Sequence, residues 1–325
     1  MKFIIVSDLH LSYLQPLNRT DCYFETCLSE LRHIFEYARK NNIQYILCTG
    51  DVLDRPEEPN SLLIELIKLF QEFSDIEFIT TVGNHDCLGN SIDTYKLHTL
   101  GILETALSNF RILVDNHFDI HIIKQEKLKV MRVRGFSYGL ECTEQLLKGE
   151  YTDVNKLQLY DFGIALVHAQ VGANDSMNRW QSIESQKCDW GDITAFGDIH
   201  EPFYTHQFKD GPLAVHSGAI GRRKINEKDI KPKFALLEVN EDFTHNVEFI
   251  EIPDNAKFAE KPQQELSDEH IAANFITEWS NIQASKDETP QEKVERISKA
   301  CSYSVDATNL VMEILDQTQI GKDVV

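Results

Sequence analysis

Residues 76–86 read IEFITTVGNHD, an apolar stretch that ends abruptly in small and polar residues. The apolar part has the β-branched and aromatic content of a buried strand, and the polar part is typical of the loop that follows one. Two other stretches repeat this arrangement, because Phe3–Ser7 runs into Asp8 and Ile43–Cys48 runs into Gly50-Asp51. The sequence therefore predicts three buried strands, each of which ends in a polar loop.

Helical spacing of apolar residues separates these strands, at residues 21–41 and 61–73. Strands that alternate with helices predict a parallel sheet with right-handed crossovers, whose carboxyl ends form ligand sites at one edge. From residue 111 onward the pattern is mostly strands, so we expect a second sheet. Its predicted strands are 111–114, 118–123, 130–136, 162–168, 193–196, 234–239 and 247–252. Two sheets packed face to face with helices outside predict an α/β fold, a four-layer α/β/β/α sandwich.

The chain after Pro253 has a different pattern. Stretches with helical spacing follow one another at 267–282, 290–301 and 305–320, and they carry apolar stripes such as Ile271-Phe275-Trp279. We therefore predict two parts, a catalytic domain at 1–253 and a helical C-terminal segment at 254–325. Two interpretations of the segment remain: it packs on its own chain, or it docks onto a helix of a partner.

Composition excludes several classes of protein. The 325 residues are 42% apolar and 26% charged, as in globular proteins that bury a core, and no apolar run approaches the roughly 20 residues that span a bilayer. The N-terminus lacks the apolar region of a secretory signal and the seven cysteines include no C-x-x-C pair, so we expect reduced thiols and a cytoplasmic location. The net charge of −20 repels polyanions, so an anionic substrate would need metal ions or a partner protein.

Residues of the types that bind metal ions follow five of the predicted strands. They are Asp8 with His10, Asp51, Asn84 with His85 and Asp86, His168, and Asp198 with His200. One such group alone would be weak support, but five at the ends of strands point to a common site. Carboxylate, imidazole and amide oxygen are the ligands of hard to intermediate divalent ions, and an acid able to bridge suggests two ions.

With these five groups in this order, the sequence resembles the calcineurin-like metallophosphoesterases, whose motifs are D-x-H, G-D, G-N-H-[DE], H and G-H-x-H. The resemblance spans residues 1–252 and implies the four-layer sandwich and a two-metal phosphoesterase. It implies that Asp8, His10, Asp51 and His200 bind the first ion. It also implies that the second ion takes Asp51, Asn84, His168 and Asp198.

Asp198 departs from the family pattern, which usually has a histidine at this position. A carboxylate is a harder ligand than imidazole, so we expect a preference for manganese, with magnesium as the other option. The alternative is that Asp198 points away and the second ion is weakly held. The resemblance places His85 beside the scissile phosphate as a catalytic residue, oriented by Asp86, and a histidine suits that role because its pKa lies near working pH.

Within the family the sequence is most similar to the SbcD-type nuclease subunit of the SbcCD complex of DNA repair and recombination, including versions encoded by tailed phages. The similarity rests on residues 1–11, 50–54, 82–86, 196–202 and 216–219. It implies a DNA exonuclease and endonuclease that acts with an SbcC-like coiled-coil ATPase, and it leaves a homodimer within that complex open. Arg222, Arg223 and Lys224 follow the last of these segments, and we predict that they hold the DNA backbone, a solvated surface turn being the alternative.

Other functions remain compatible with the sequence. A stand-alone phosphodiesterase or phosphatase acting on nucleotides or small phosphoesters is the alternative to the nuclease subunit. An interaction scaffold with a relic metal site is disfavoured by the intact ligand set. Cellular relatives carry both a capping domain and a partner-binding helical segment, and residues 254–325 are too few for both. Their helical pattern favours the partner-binding segment.

Overall fold

The computed structural model describes residues 1–124, 127–152, 160–174 and 181–260. Within them lie fourteen strands and four α-helices. In chain order these are β1 Lys2–Val6, α1 Tyr23–Lys40, β2 Tyr45–Cys48, α2 Asn60–Glu72, β3 Glu77–Thr80, α3 Thr99–Ala106, β4 Phe110–Ile112, β5 His117–Lys124, β6 Lys127–Phe136, α4 Glu141–Lys148, β7 Phe162–His168, β8 Val171–Gly172, β9 Gln181–Ser182, β10 Ile193–Gly197, β11 Tyr204–Gln207, β12 Leu213–His216, β13 Lys233–Val239 and β14 His245–Glu251.

The first sheet has six strands in the order β14-β13-β1-β2-β3-β4. Strands β1 to β4 are parallel, as the alternation of strands with helices predicted. Strand β13 pairs with β1 in the antiparallel sense, and β14 continues the sheet beyond it. The prediction was therefore wrong for three strands expected in the second sheet, since 111–114, 234–239 and 247–252 correspond to β4, β13 and β14 of the first sheet.

The second sheet also has six strands, in the order β11-β12-β10-β7-β6-β5. Its four central strands are parallel, and β11 and β5 form antiparallel edges. Strands β11 and β12 did not appear in the sequence-based prediction. For β11 the reason is that its residues are polar and largely exposed, so it lacks the apolar alternation that marks a strand.

The two sheets pack face to face between helices. Along β1, Phe3 and Ile5 point into the layer between the sheets, whereas Ile4 and Val6 point toward α1 and α2. A third cluster covers the outer face of the second sheet, where Phe196 of β10 packs in the same cluster as Leu146 of α4. This arrangement confirms the predicted four-layer α/β/β/α sandwich.

The described chain beyond β14 returns to the unit formed by the two sheets. The amide of Thr20 donates to the carbonyl of Lys257 at 2.9 Å, so residues 254–260 lie against the loop that precedes α1. The first compact unit accordingly spans Met1–Lys261, and the second spans Pro262–Val325. The predicted helices at 267–282, 290–301 and 305–320 lie outside the described residues. None of the helices described has both the length and the apolar character that a membrane crossing requires.

A buried ion cluster joins α1 to the segment after β14. The guanidinium of Arg222, only 1% exposed, donates to Ile230 O at 2.7 Å, binds the carboxylate of Asp254, and lies 3.8 Å from Glu30 Oε1. Burial raises the pKa of Glu30 to about 8, against the opposing charges of Arg222 and Arg19. Glu30 is therefore protonated at neutral pH in the folded protein.

We expect Glu30→Gln to change how stability depends on pH. Folded Glu30 releases its proton near pH 8 and the unfolded chain near the ordinary value of 4.5, so the folded state binds the extra proton between them. The free energy of unfolding therefore falls as pH rises through this window. Gln has no proton to lose, so its free energy of unfolding should not fall in this way. In urea unfolding, the free energy of unfolding of the variant relative to the wild type should rise by on the order of 1 kcal/mol or more between about pH 5.5 and pH 8.5.

The control is Glu36→Gln, which makes the same change at an exposed position of α1. Its difference from the wild type should be nearly independent of pH. Parallel stability profiles for Glu30→Gln and the wild type would mean that Glu30 is already ionised in the folded protein.

Candidate metal centre

The carboxyl ends of strands from both sheets meet at one site. Asp8 and His10 follow β1, Asp51 follows β2 and Asn84 follows β3, while His168 ends β7 and Asp198 and His200 follow β10. Parallel neighbours end at the same edge of a sheet, and the face-to-face packing brings the two edges together. The structure thus places all seven predicted metal ligands around one point.

Three overlapping triplets of side chains could each hold an ion. They are Asp8-His10-His200, His10-Asp51-His85 and Asp8-Asp51-His168, and within each triplet the ligand atoms lie within 4.8 Å of one another. The two remaining predicted ligands adjoin them, because Asn84 Oδ1 is 3.0 Å and Asp198 Oδ1 is 3.7 Å from His168 Nε2. Since the triplets share Asp8, His10 and Asp51, the arrangement fits two neighbouring ions better than one.

The backbone of the site adopts conformations that non-glycine residues rarely take. Asp8, His10, Asp51 and Asp198 have φ angles of 50°, 45°, 51° and 94°. Each such conformation costs on the order of 1 kcal/mol or more and persists only where its surroundings enforce it. Here backbone hydrogen bonds enforce it, such as His10 N to Asp51 O at 3.0 Å and Gly221 N to Asp8 O at 3.0 Å. These backbone conformations direct the side chains at the ends of different strands toward one point.

Glycines let the strand ends approach closely. A Cβ atom on Gly83 would lie 2.0 Å from Asp51 Oδ1, and one on Gly50 would lie 2.7 Å from His168 Nδ1. Gly50 also has a φ of 101°, which only glycine adopts at little cost. The glycines of the two motifs G-D and G-N-H-D are therefore required by the packing of Asp51 and His168.

Buried charges in the site are arranged around Asp51 and His168. Although burial opposes ionisation, the charges of His168 and His10 hold the pKa of Asp51 below its usual range. Burial also disfavours the charged form of His168, but Asp51 and Asp198 raise its pKa. Burial raises the pKa of Asp198 to about 6, and the nearby charges of Asp8 and Asp51 add to it. The site therefore concentrates more negative charge than His168 alone can balance.

The donor set fits divalent metal ions. Among the described residues, the buried Oδ2 of Asp198 has no hydrogen-bond partner, although a buried carboxylate oxygen without a partner is costly. His10 Nε2 faces His200 Nε2 at 3.0 Å, so two imidazole nitrogens converge within the site. Carboxylates and imidazoles with unused lone pairs that converge in this way are typical of a metal centre. Two ions, held by the residues named above, would accept these lone pairs and offset the excess negative charge.

His168 and His85 are each oriented by a backbone carbonyl. His168 Nδ1 lies 2.8 Å from Thr49 O, and His85 Nδ1 lies 2.7 Å from Asp54 O. A carbonyl can only accept, so each ring carries a hydrogen on Nδ1 and turns Nε2 away from that carbonyl. For His168, Nε2 then faces Asn84 and Asp51 within the centre.

The predicted role of Asp86 needs correction. Its carboxylate accepts hydrogen bonds from the amides of Leu53 and Gly83, both at 3.0 Å, and among the described residues it forms no hydrogen bond with the ring of His85. Burial, reinforced by the charge of Asp51, raises the pKa of Asp86 to about 7. Asp86 therefore holds the two neighbouring loops in place, and Asp54 is the acid beside His85, with Oδ1 3.6 Å from His85 Nδ1.

We expect His85→Ala to separate metal binding from turnover. His85 belongs to one possible ligand triplet, but its side chain is also 35% exposed, so it can reach a substrate. If it acts on the substrate, the variant should bind manganese with unchanged stoichiometry in calorimetry and lose about a hundredfold or more in turnover of an aryl phosphodiester. Loss of one bound ion together with activity would instead make His85 a metal ligand.

The three residues predicted to bind DNA lie in different environments. Arg222 is buried in the ion cluster with Glu30 and Asp254, so it is not available to a DNA backbone. Arg223 is partly exposed and forms an ion pair with Asp54, and Lys224 is exposed. The prediction of a basic contact therefore applies to Arg223 and Lys224, whereas Arg222 stabilises the fold.

Sequence reasoning did not identify Glu227, which lies at the site. Its carboxylate is 2.6 Å from Nδ1 of His200, although the two residues belong to different loops. An isolated glutamate in a basic loop has no distinguishing pattern. Arg223, whose amide binds Glu227, lies four residues before it, and this spacing forms no motif that could have identified Glu227.

A sequence profile of the calcineurin-like phosphoesterases matches residues 1–210. Solved structures that resemble the chain include a Staphylococcus aureus protein assigned as a 5′-nucleotidase and determined with α-ketoglutarate, at 17% identity and a TM-score of 0.43, over 86% of this chain and 58% of that one. This chain therefore spans little more than half of that protein.

Two further structures cover more of their own length. A dimetal phosphatase from Danio rerio has 11% identity and a TM-score of 0.48, over 79% of this chain and 98% of that one. The anchor protein of the inner membrane complex of Plasmodium has 12% identity and a TM-score of 0.48, over 87% of this chain and 95% of that one. No curated protein matches the sequence.

Proposed function

This chain belongs to the calcineurin-like phosphoesterase family, and we propose that it is a metal-dependent phosphoester hydrolase whose substrate is DNA. The observation that carries the proposal is the convergence of seven ligand side chains from both sheets, with Asp51 shared between triplets. On this proposal Asp8, His10, Asp51 and His200 hold one ion, and Asp51, Asn84, His168 and Asp198 hold the other. Divalent ions bound there supply Lewis acidity to the phosphoryl oxygens.

The chain's own residues orient His85 and supply a proton to the leaving oxygen. Asp51 accepts a hydrogen bond from the amide of His85 at 2.9 Å, and this bond holds the loop after β3 at the centre of the site. His85, with Nδ1 on the carbonyl of Asp54, keeps Nε2 available to donate a proton to the departing oxygen of the ester. The carboxylate of Asp54 stabilises the charged imidazole in this role.

A basic loop beside the metal ligands supports a long, negatively charged substrate. Arg223 pairs with Asp54 of the site, and the amide of Lys224 donates to Glu227, whose carboxylate contacts His200. Lys228 and Lys231 are also exposed in the same loop. In a chain of net charge −20, a local excess of positive charge next to the site suits a phosphate backbone that extends beyond the scissile bond.

The similarity to the SbcD-type subunit supports the same substrate and suggests exonuclease and endonuclease activity with manganese. The strongly acidic remainder of the molecule favours the alternative, a stand-alone phosphodiesterase or phosphatase acting on nucleotides or small phosphoesters. The two functions differ in how much of the substrate the protein holds. A nuclease contacts several phosphates, whereas a nucleotidase contacts one or two.

A panel of substrates tests the proposal directly. Linear duplex DNA, single-stranded DNA, an aryl phosphodiester and 5′-mononucleotides are compared with manganese, with magnesium and with a chelator. We expect cleavage of DNA and of the aryl diester only with a metal ion, and a steeper loss with added salt for DNA than for the aryl diester. Rapid release of phosphate from mononucleotides with no cleavage of DNA would establish the alternative.

We further propose that the C-terminal segment binds the coiled coil of an SbcC-like ATPase. Because residues 254–260 are bound to the catalytic unit, the informative truncation removes only residues 262–325. We expect it to keep metal-dependent cleavage of the aryl diester and to lose complex formation and ATP-stimulated digestion of duplex DNA. Trp279→Asp is the matched point variant, since a buried charge at an interface costs several kcal/mol. Unfolding of the truncated chain would mean that the segment packs on its own catalytic unit.

A further inference from the structure

Glu227 is a buried acid at the site with both carboxylate oxygens bonded, and the roles described above do not use it. It ends a short turn, Ile225–Glu227, after β12, and only 3% of it is exposed. One carboxylate oxygen lies 2.6 Å from His200 Nδ1. The other accepts hydrogen bonds from the amides of Arg223 at 2.6 Å and Lys224 at 2.9 Å. Both oxygens are therefore satisfied, as a buried carboxylate requires.

The contact decides where the ring of His200 carries its hydrogen. A carboxylate can only accept, so Nδ1 of His200 is the donor. In the neutral ring Nε2 is then unprotonated, and it is Nε2 that faces His10 within the site at 3.0 Å. Binding of a metal ion through Nε2 needs this tautomer, and histidine ligands usually owe it to an acceptor on the opposite nitrogen.

Glu227 also fixes the loop that reaches the other side of the centre. Because it binds the amides of Arg223 and Lys224, it holds the start of the basic loop in a defined conformation. The guanidinium of Arg223 then pairs with Asp54, whose carbonyl accepts from His85. One buried side chain thus positions a predicted metal ligand directly and the neighbour of His85 through the backbone.

We propose that Glu227 is a positioning residue that fixes the Nδ1–H tautomer of His200 and thereby sets the affinity of this side of the centre for a divalent ion. The proposal rests on the proposed function only in taking His200 as a ligand. It makes no use of the identity of the phosphoester.

Glu227→Gln is the discriminating variant because an amide nearly preserves the shape of the side chain and reverses one hydrogen bond. Its oxygen can still accept from the two loop amides, and its NH2 group then points at His200 Nδ1. That contact favours the opposite tautomer, with the hydrogen on Nε2. The matched control is Glu201→Gln, which removes the same charge from an exposed side chain next to His200 in the sequence.

The test uses two measurements on the full-length chain without any phosphoester. Nitrogen-15 spectra of the histidine rings of the metal-free protein are recorded above the titration of the rings, with the His200 signals identified by their absence in His200→Asn. Manganese binding is followed by calorimetry. We expect the Nδ1–H form of His200 in the wild type and in Glu201→Gln, the Nε2–H form in Glu227→Gln, and manganese affinity about 10- to 100-fold weaker in Glu227→Gln alone.

Two results would overturn the proposal. The first is an Nε2–H tautomer of His200 in the wild type, which does not depend on Glu227→Gln and so holds even if that variant fails to fold. The second is a folded Glu227→Gln that binds manganese as tightly as the wild type. Failure of the DNA substrate panel would leave both measurements unaffected, so the two proposals can fail separately.

Discussion

Asp51→Asn should reduce turnover of an aryl phosphodiester by far more than a hundredfold at saturating manganese. Asp51 belongs to two of the three ligand triplets, and loss of even an outer partner of a metal ligand costs about 10- to 100-fold. The amide keeps an oxygen that can accept from the His85 amide, as Asp51 Oδ1 does at 2.9 Å, so the fold should survive. Calorimetry with manganese should show weaker binding or fewer bound ions.

The control for this variant is Asp210→Asn. Asp210 is exposed and also adopts a positive φ, of 58°, so the same chemical change is made on a similar backbone away from the site. It should leave turnover and manganese binding unchanged. Wild-type turnover in Asp51→Asn would show that Asp51 does not contact a catalytic ion.

Gly83→Ala should damage both stability and activity although it adds a single carbon. The new Cβ atom would lie 2.0 Å from Asp51 Oδ1 and 2.6 Å from the Asp51 amide, so either the loop or Asp51 must move. Overpacking of this kind costs about 1–3 kcal/mol. A displacement of about 1 Å at the centre is enough for a loss near a hundredfold in turnover. Thermal unfolding and turnover of the aryl diester measure the two effects.

Gly89→Ala is the contrasting variant. Gly89 has a φ of 60°, which strains an alanine, but nothing lies within 4 Å of its added Cβ atom. It should lose about 1 kcal/mol of stability and keep its turnover. If Gly83→Ala behaved in the same way, the packing of Gly83 against Asp51 would have no bearing on activity.

The central layers could be predicted from the sequence because they depend on local pattern. Strands such as Phe3–Ser7 are apolar and β-branched, alternate with helical spacing, and end in polar residues, so their order and the location of the site follow from general rules. The run of strands after residue 111 correctly predicted a second sheet, but the sequence did not show that β4, β13 and β14 pair within the first. Strand β11 escaped prediction because its edge position allows polar residues on both faces.

The partners of the ligands could not be predicted, because tertiary packing selects them. The family resemblance suggested Asp86 as the partner of His85, but adjacent side chains in a tight turn point in different directions. Asp54 and Glu227 reach His85 and His200 from other loops. Arg222 looked like its neighbour Arg223 in a basic cluster, yet one is buried with Glu30 and the other is partly exposed.

The division of the site between two sheets affects when activity can arise during synthesis. Asp8, His10, Asp51 and Asn84 leave the ribosome early, but His168, Asp198 and His200 come much later in the chain, and β13, the antiparallel neighbour of β1, later still. Contacts between such distant parts of a chain form slowly. A nascent chain that ends before β7 therefore holds only Asp8, His10, Asp51 and Asn84, and the predicted ligand set is complete only after β10 has been made. The order of the strands thus sets the point in synthesis at which the predicted centre can assemble.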